Sequence, residues 1–227
     1  MSRIRHCWTA AAAALALASA GGCALVEGDA GEDDGAPSQN AEVSLEGVES
    51  FYGEYDGIVA LKTALAEGEI AVTDLEHPWI TQQEHVDGLV GWDGEALPYE
   101  LHPPAGGNHL SQWQTCTGSV YDGPLVDGYA VHSMEHGAVW LTYDPELLDQ
   151  ASIDALALLI DKRDYSLMSP YPGQGVAVSL QSWGHRYQTE DAADPVIEAY
   201  LDEYVLNERF NPEPNATCAG GITATFE

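Results

Sequence analysis

The chain has 227 residues, of which 45% are hydrophobic and 19% are charged, and this composition supports one globular domain of ordinary size plus an unfolded appendage. Its 37 acidic residues outnumber its seven basic residues, so the formal net charge is −30. A field of this sign repels nucleic acids and anionic lipid surfaces, and we therefore expect no nucleic-acid partner.

The first 23 residues, MSRIRHCWTAAAAALALASAGGC, have the layout of a secretory signal: two arginines, a short apolar run and small residues ending at a cysteine. Because the end resembles a bacterial lipobox, we predict a lipoprotein signal peptide over residues 1–22 and acylation of Cys23. A cleaved signal with an incidental cysteine is the alternative. The lipid would anchor the protein to a membrane outside the cytoplasm, at the cell surface or in the periplasm, and no protein partner is indicated.

Residues 23–45 are rich in Gly, Asp, Glu, Ser and Asn and contain no aromatic residue. Such a segment buries too little apolar surface to fold, so we predict an acidic disordered tether. The folded domain would then span residues 46–227, and its first part, 48–74, predicts a short strand and a helix.

The run GAVWLTY at residues 137–143 is typical of a buried strand. Asp144-Pro145 then predicts a capped helix that extends to about Lys162. Residues 165–188 predict two or three strands, interrupted between Pro170 and Gly175.

Asp194-Pro195 repeats the cap-and-proline signal, and the apolar residues after it recur at helical spacing. The order of strand, helix, strands and helix predicts an α+β fold. We expect a single compact domain with a small, mostly antiparallel sheet packed with two or three helices.

Two cysteines, Cys116 and Cys218, remain once Cys7 leaves with the signal and Cys23 takes lipid. An even remainder in an oxidising compartment predicts one disulfide, with two unpaired buried thiols as the alternative.

The stretch His132-Ser133-Met134-Glu135-His136-Gly137 carries the main chemical signal. If it forms a helical turn, His132 and His136 stand on one face, where both can reach one metal ion, and Gly137 ends the turn. One histidine could instead pack or cap while the other faces solvent.

His102 and His109 flank the loop PPAGGN at residues 103–108. Its prolines make the approach rigid and its glycines allow a sharp turn, so the loop can aim His109 inward. A plain surface turn is the alternative.

Several blocks of the sequence resemble the domain of unknown function 3105 family, a bacterial secreted or membrane-anchored domain. Its signature of HV, PPTSGPH and VHNLEHG is similar to EHVDGLVGW, LHPPAGGNH and YAVHSMEHGAVWLTYDPEL here, followed by SPYPG and SWG. The likeness covers about residues 84–218. This chain departs from the family pattern at three loop positions, where Ala105, Gly106 and Asn108 replace the usual Thr, Ser and Pro.

The resemblance places the family histidines on His85, His109, His132 and His136 and the family acid on Glu135. It implies a copper or zinc site whose ligands are His109, His132 and His136, with His85 as a fourth ligand or a group that orients one. Glu135 is expected to orient a histidine. Met134 and Met168 lie beside these motifs, and core packing is the preferred role for both.

The predicted function is therefore an exported lipoprotein that binds a transition metal for sequestration, sensing or delivery. A non-metal interaction domain with a buried histidine network is the alternative. HSMEH also matches the inverted zincin pattern, so a metal-dependent hydrolase is the third hypothesis. Gly137 and the strand after it leave little room for the long helix that a zincin needs, and an enzyme is the less favoured interpretation.

Overall fold

The computed structural model describes residues 43–86 and 98–225. The predicted signal peptide, Cys23 and all but the last three residues of the predicted tether lie outside the described residues. So does most of the EHVDGLVGW block after Val86. In the described ranges, no helix is both long enough and apolar enough to cross a bilayer.

A six-stranded mixed sheet forms the centre of the domain. Its strands are β1 (Glu49–Ser50), β2 (Thr117–Val120), β3 (Val139–Tyr143), β4 (Ser166–Pro170), β5 (Val178–Ser182) and β6 (His185–Thr189). They lie in the order β1-β6-β5-β3-β4-β2. Three of the five neighbouring pairs are antiparallel, whereas β4 runs parallel to both β3 and β2. The predicted α+β domain with a mostly antiparallel sheet is confirmed.

Four α-helices accompany the sheet in the described residues: α1 (Gly57–Glu67), α2 (Asp127–Glu135), α3 (Gln150–Ile160) and α4 (Val196–Tyr204). Short 3-10 helices follow α1 at Val72–Asp74 and Pro78–Thr81. The expected number was two or three helices. The additional helix arises because the histidine segment forms a complete α-helix rather than a single turn.

The central strands β3, β4 and β5 are buried along their whole length, which explains why GAVWLTY is a continuous apolar run rather than an alternating one. Helix α3 packs against β2 and β4, helix α4 packs against β5, and helix α2 contacts β3. Two or three strands were predicted within residues 165–188, and the structure has three there, β4, β5 and β6, the last of which ends at Thr189.

Helix α3 begins later than the sequence indicates. Asp144 is buried, and its carboxylate accepts hydrogen bonds from the backbone N–H groups of Glu146 and Gly173, at 3.0 Å each. It therefore stabilises a turn after β3 instead of capping a helix. The N-cap of α3 is Asp149, which accepts a hydrogen bond from the backbone N–H of Ser152 at 2.9 Å.

The predicted disulfide between Cys116 and Cys218 is confirmed, and both residues are buried. It joins the start of β2 to the C-terminal segment, which also pairs through its backbone with the chain before Cys116. The N–H of Thr115 donates to the carbonyl of Ile222 at 2.8 Å, and the N–H of Ile222 donates to the carbonyl of Trp113 at 2.8 Å. The C-terminal segment is thereby held beside helix α2.

Candidate metal centre

Helix α2 and its C-terminal cap carry three of the side chains that form the candidate site. It is buried on nearly all sides, and its last turn presents His132 and Glu135 before His136 ends the helix. Gly137 follows with φ +95°, and a Cβ there would lie 2.6 Å from Nδ2 of Asn211. Glycine is therefore required, both for the left-handed backbone and for the close approach of the C-terminal segment.

The PPAGGN loop brings His109 to the same place. Gly106 has φ +140°, and a Cβ there would lie 3.1 Å from the Trp79 ring and 3.3 Å from the Trp183 ring. The loop therefore packs closely against both tryptophans, and His109 becomes fully buried. The predicted inward orientation of His109 is what the structure shows.

His85 reaches the site through a short parallel bridge with His109. The N–H of Val86 donates to the carbonyl of His109 at 2.8 Å, and the N–H of His109 donates to the carbonyl of Glu84 at 3.1 Å. The two imidazoles are thereby brought to a centroid separation of 5.0 Å. His85 remains partly open to solvent, since its side chain is 48% exposed.

Four side chains converge at this point: His85, His109, His132 and Glu135. Each offers one ligand atom, and these four atoms all lie within 4.8 Å of one another. The Oε2 atom of Glu135 is 2.8 Å from Nε2 of His109 and 3.9 Å from Nε2 of His85. We call this set the inner cluster, and its imidazole and carboxylate groups could hold a transition-metal ion.

Backbone carbonyls hold two of these imidazoles in one tautomer. Nδ1 of His109 donates to the carbonyl of Gly107 at 2.9 Å, and Nδ1 of His132 donates to the carbonyl of Leu110 at 2.6 Å. In each ring Nε2 is therefore the nitrogen left to bind a metal ion, as in metal-binding histidines generally. Nε2 of His109 is buried and has no aligned hydrogen-bond partner in the described part of the chain, although Glu135 is close to it.

Burial keeps His132 neutral. Desolvation is the main cause that lowers the pKa of His132 to about 4. The hydrogen bond to Leu110 opposes this shift, and three neighbouring imidazoles add to it: His109, His136 and His85. The Nε2 lone pair of His132 is thus free of a proton at neutral pH.

Glu135 carries the negative charge of the inner cluster. Burial acts to raise the pKa of Glu135, but the interactions with His109, His132 and His85 outweigh it, and the pKa is lowered. A buried, ionised carboxylate needs a positive charge close to it. A bound divalent cation would supply that charge.

A second group lies beside the inner cluster and contains His132, His136 and Glu213, again with ligand atoms within 4.8 Å of one another. We call it the outer group. Nδ1 of His136 donates to the carbonyl of Thr217 at 2.9 Å, and Nε2 of His136 lies 3.5 Å from Oε2 of Glu213. The C-terminal segment thus contributes both the anchor of His136 and the carboxylate.

The structure divides the predicted ligands between the two groups. It brings His85, His109 and His132 together, but it places His136 with Glu213 in the outer group. Glu135, expected only to orient a histidine, lies among the potential ligands themselves. Glu213 was not predicted, because it lies far from the motifs in sequence and belongs to no pattern with them.

The other residues of interest lie elsewhere. The hydroxyl of Tyr171 is 3.5 Å from Nδ1 of His102, which belongs to neither group. Met134 and Met168 are both fully buried in the hydrophobic core, as expected.

Comparison with known proteins identifies the family but no activity. No curated protein and no solved structure matches the chain. The model of a family described as "Protein of unknown function (DUF3105)" matches residues 92–220, more than half of the chain. This agrees with the resemblance carried by the histidine motifs, and the chain therefore belongs to the DUF3105 family.

Proposed function

We propose that the domain holds one transition-metal ion, zinc or copper, through His85, His109, His132 and Glu135. The observation that carries the proposal is the convergence of four ligand atoms within 4.8 Å, where the buried Nε2 of His109 has no aligned partner among the described residues. A buried polar atom without a partner is costly unless something else satisfies it. A metal ion satisfies the lone pairs and the Glu135 charge together.

The donor set favours borderline divalent ions. Three imidazole nitrogens and one carboxylate oxygen suit zinc(II) and copper(II), whereas copper(I) prefers sulfur. Among the sulfur-containing residues that the structure describes, Cys116 and Cys218 form the disulfide, and Met134 and Met168 are part of the core. This chemistry supports zinc(II) or copper(II) over copper(I).

Four protein ligands support a holding role. Catalytic zinc sites use three protein ligands and keep a fourth position open for water, whereas structural sites are closed by four. A zincin-like hydrolase would use Glu135 to activate water, but here its carboxylate lies 2.8 Å from Nε2 of His109, among the ligand atoms. We therefore propose sequestration, sensing or delivery of the ion outside the cytoplasm, by a protein anchored through lipid on Cys23.

Metal analysis of protein purified without a histidine tag tests the proposal. Wild-type protein should bind about one zinc or copper ion per chain, and His109→Ala and His132→Ala should each lower the affinity at least about 100-fold. His185→Phe is the matched control, because it removes a buried histidine that belongs to neither group. Its metal content should equal that of the wild type.

Two results would contradict the proposal. If wild-type protein binds neither added zinc nor added copper, the histidines serve as a hydrogen-bond network in an interaction domain. If the wild type hydrolyses peptides of a test panel, and Glu135→Gln keeps its metal but loses this activity, the domain is a hydrolase.

A further inference from the structure

The inner cluster and the outer group share one side chain, His132. Nδ1 of His132 donates to the carbonyl of Leu110 at 2.6 Å, so only Nε2 has a lone pair to offer. One imidazole lone pair coordinates one ion. The two groups can therefore hold the same ion in turn, but they cannot hold two ions at once through His132.

Each group has one exposed side chain, Glu213 at 57% in the outer group and His85 at 48% in the inner cluster. Of these two, Glu213 offers a carboxylate, and the inner carboxylate of Glu135 is only 8% exposed. An ion from solvent can thus meet the Glu213 carboxylate before it loses its water shell. The strongly negative chain also favours the approach of a cation.

The outer group is held in place by hydrogen bonds rather than by chance proximity. The N–H of Glu213 donates to the carbonyl of Glu135 at 3.0 Å and to Oδ1 of Asn211 at 3.1 Å. Nδ2 of Asn211 donates to the carbonyl of His136 at 3.3 Å, and Thr217 anchors the His136 ring. These bonds join the C-terminal segment directly to the end of helix α2.

The ring of Trp113 lies beside the outer group. The Trp113 ring lies 5.1 Å from the His136 ring and 5.8 Å from the His132 ring, measured between centroids. The His132 and His136 rings themselves are 4.6 Å apart. The indole of Trp113 therefore packs against both imidazoles of the outer group.

We propose that the outer group is a transfer site, which the metal ion occupies briefly on its way into and out of the inner cluster. The ion first binds Glu213, His136 and Nε2 of His132. It then passes to the inner cluster by releasing Glu213 and His136 and binding His85, His109 and Glu135, while His132 stays bound. Release follows the same steps in reverse. This inference rests on the proposed metal-binding function and assigns His136 and Glu213 the transfer of the ion rather than its retention.

Zinc transfer kinetics test whether the outer group is a transfer site. The protein is loaded with one equivalent of Zn²⁺, and its release to an excess of the chromogenic chelator 4-(2-pyridylazo)resorcinol is followed by stopped flow. Zn²⁺ uptake by metal-free protein is measured in parallel, with Glu213→Gln as the main variant. The control is Glu208→Gln, which removes the same charge from an exposed acid that belongs to neither ligand group.

We expect Glu213→Gln to slow uptake and release by the same factor, about tenfold, and to leave the equilibrium affinity unchanged. His136→Gln should act in the same way, whereas Glu208→Gln should exchange at the wild-type rate. Circular dichroism of each variant verifies that it is folded.

Three outcomes would overturn the inference. Two zinc ions per wild-type chain would mean that the groups bind independently. Wild-type exchange rates in Glu213→Gln would mean that the ion passes by the exposed His85 instead. No zinc binding by the wild type would overturn the proposed function along with this inference, and the zinc content of the wild type separates that case from the other two.

Discussion

Two regions of this domain bury histidines to the same degree, but the side chains around those histidines differ. His132 in the inner cluster is 3% exposed and His185 in β6 is 4% exposed. Burial is the first cause that lowers the pKa of each imidazole, to about 4 in both cases. By burial and acidity alone, the two residues are equivalent.

Their neighbours differ in kind. The His185 ring is surrounded by Phe210, Tyr204 and Tyr52, with centroids at 4.4, 4.5 and 5.2 Å. In the described ranges, His185 belongs to no group of potential metal ligands. A buried imidazole with a low pKa is thus not a metal site in itself. Convergent donors and an anchored Nδ1 distinguish the inner cluster from an aromatic pocket.

Removal of the disulfide should have the largest effect and should act on one region only. Cys116→Ala with Cys218→Ala frees a loop of 102 residues, and the expected loss of stability is about 4 kcal/mol. The C-terminal segment carries Thr217 and Glu213, so metal exchange should also change, while the His185 pocket keeps its own packing. Urea unfolding and zinc transfer measure the two effects. An unchanged unfolding midpoint would contradict the expectation.

Acidification should lower the stability of the folded protein through His185. The folded-state pKa of His185 is about 4, below the value of about 6.5 expected in the unfolded chain, so the unfolded state takes up a proton first as the pH falls. The contribution of His185 is present above pH about 6.5 and decreases toward pH 4, by up to about 3 kcal/mol. His185→Phe should remove this loss.

Urea unfolding of metal-free wild type and His185→Phe at pH 7, 6 and 5 measures the difference. The variant should be at least as stable at pH 7, because phenylalanine suits the aromatic pocket and Nδ1 of His185 has no partner among the described residues. Its advantage should grow toward pH 5. Parallel curves for the two proteins would show that folding does not lower the pKa of His185.

The smallest expected effect is the stabilisation by bound zinc, which should depend on the inner cluster and not on His185. Zinc at 100 times its dissociation constant should stabilise the folded state by about 2.7 kcal/mol, which raises the Tm by roughly 5 to 10 °C. Wild type and His185→Phe should both show this shift, and His109→Ala should not. Thermal scans with zinc and with a chelator provide the measurement. If the Tm of His185→Phe does not rise with zinc, His185 takes part in metal binding and the two regions do not differ in this respect.

Local signals in the sequence predict much of this fold. Val139–Tyr143 form a strand because a continuous apolar run suits a strand buried on both faces. His132 and His136 share a helix face because four-residue spacing equals about one helical turn. Once Cys7 and Cys23 are assigned to the predicted signal and lipid anchor, the even remainder is enough to predict the pair of Cys116 with Cys218. Each of these inferences depends on near neighbours or on simple pairing.

The errors arose where distant residues compete for the same groups. Asp144 has the sequence context of a helix cap, but the backbone of Gly173 captures its carboxylate, so α3 begins only after Asp149. His136 remains a predicted ligand, because it shares the outer group with His132, but the contacts with Thr217 and Glu213 that hold it there lie far from it in sequence. Sequence spacing does not contain these long-range contacts.

The chemistry of the site is therefore inherent in the residue types, while its arrangement is a property of the folded chain. The histidine motifs and the PPAGGN loop determine that imidazoles will be available near one helix end. Folding then selects which nitrogens converge. Backbone carbonyls of Gly107, Leu110 and Thr217 orient the rings, and the disulfide-bonded C-terminal segment brings in Glu213. Hydrogen bonds between distant segments form only after collapse has brought those segments together.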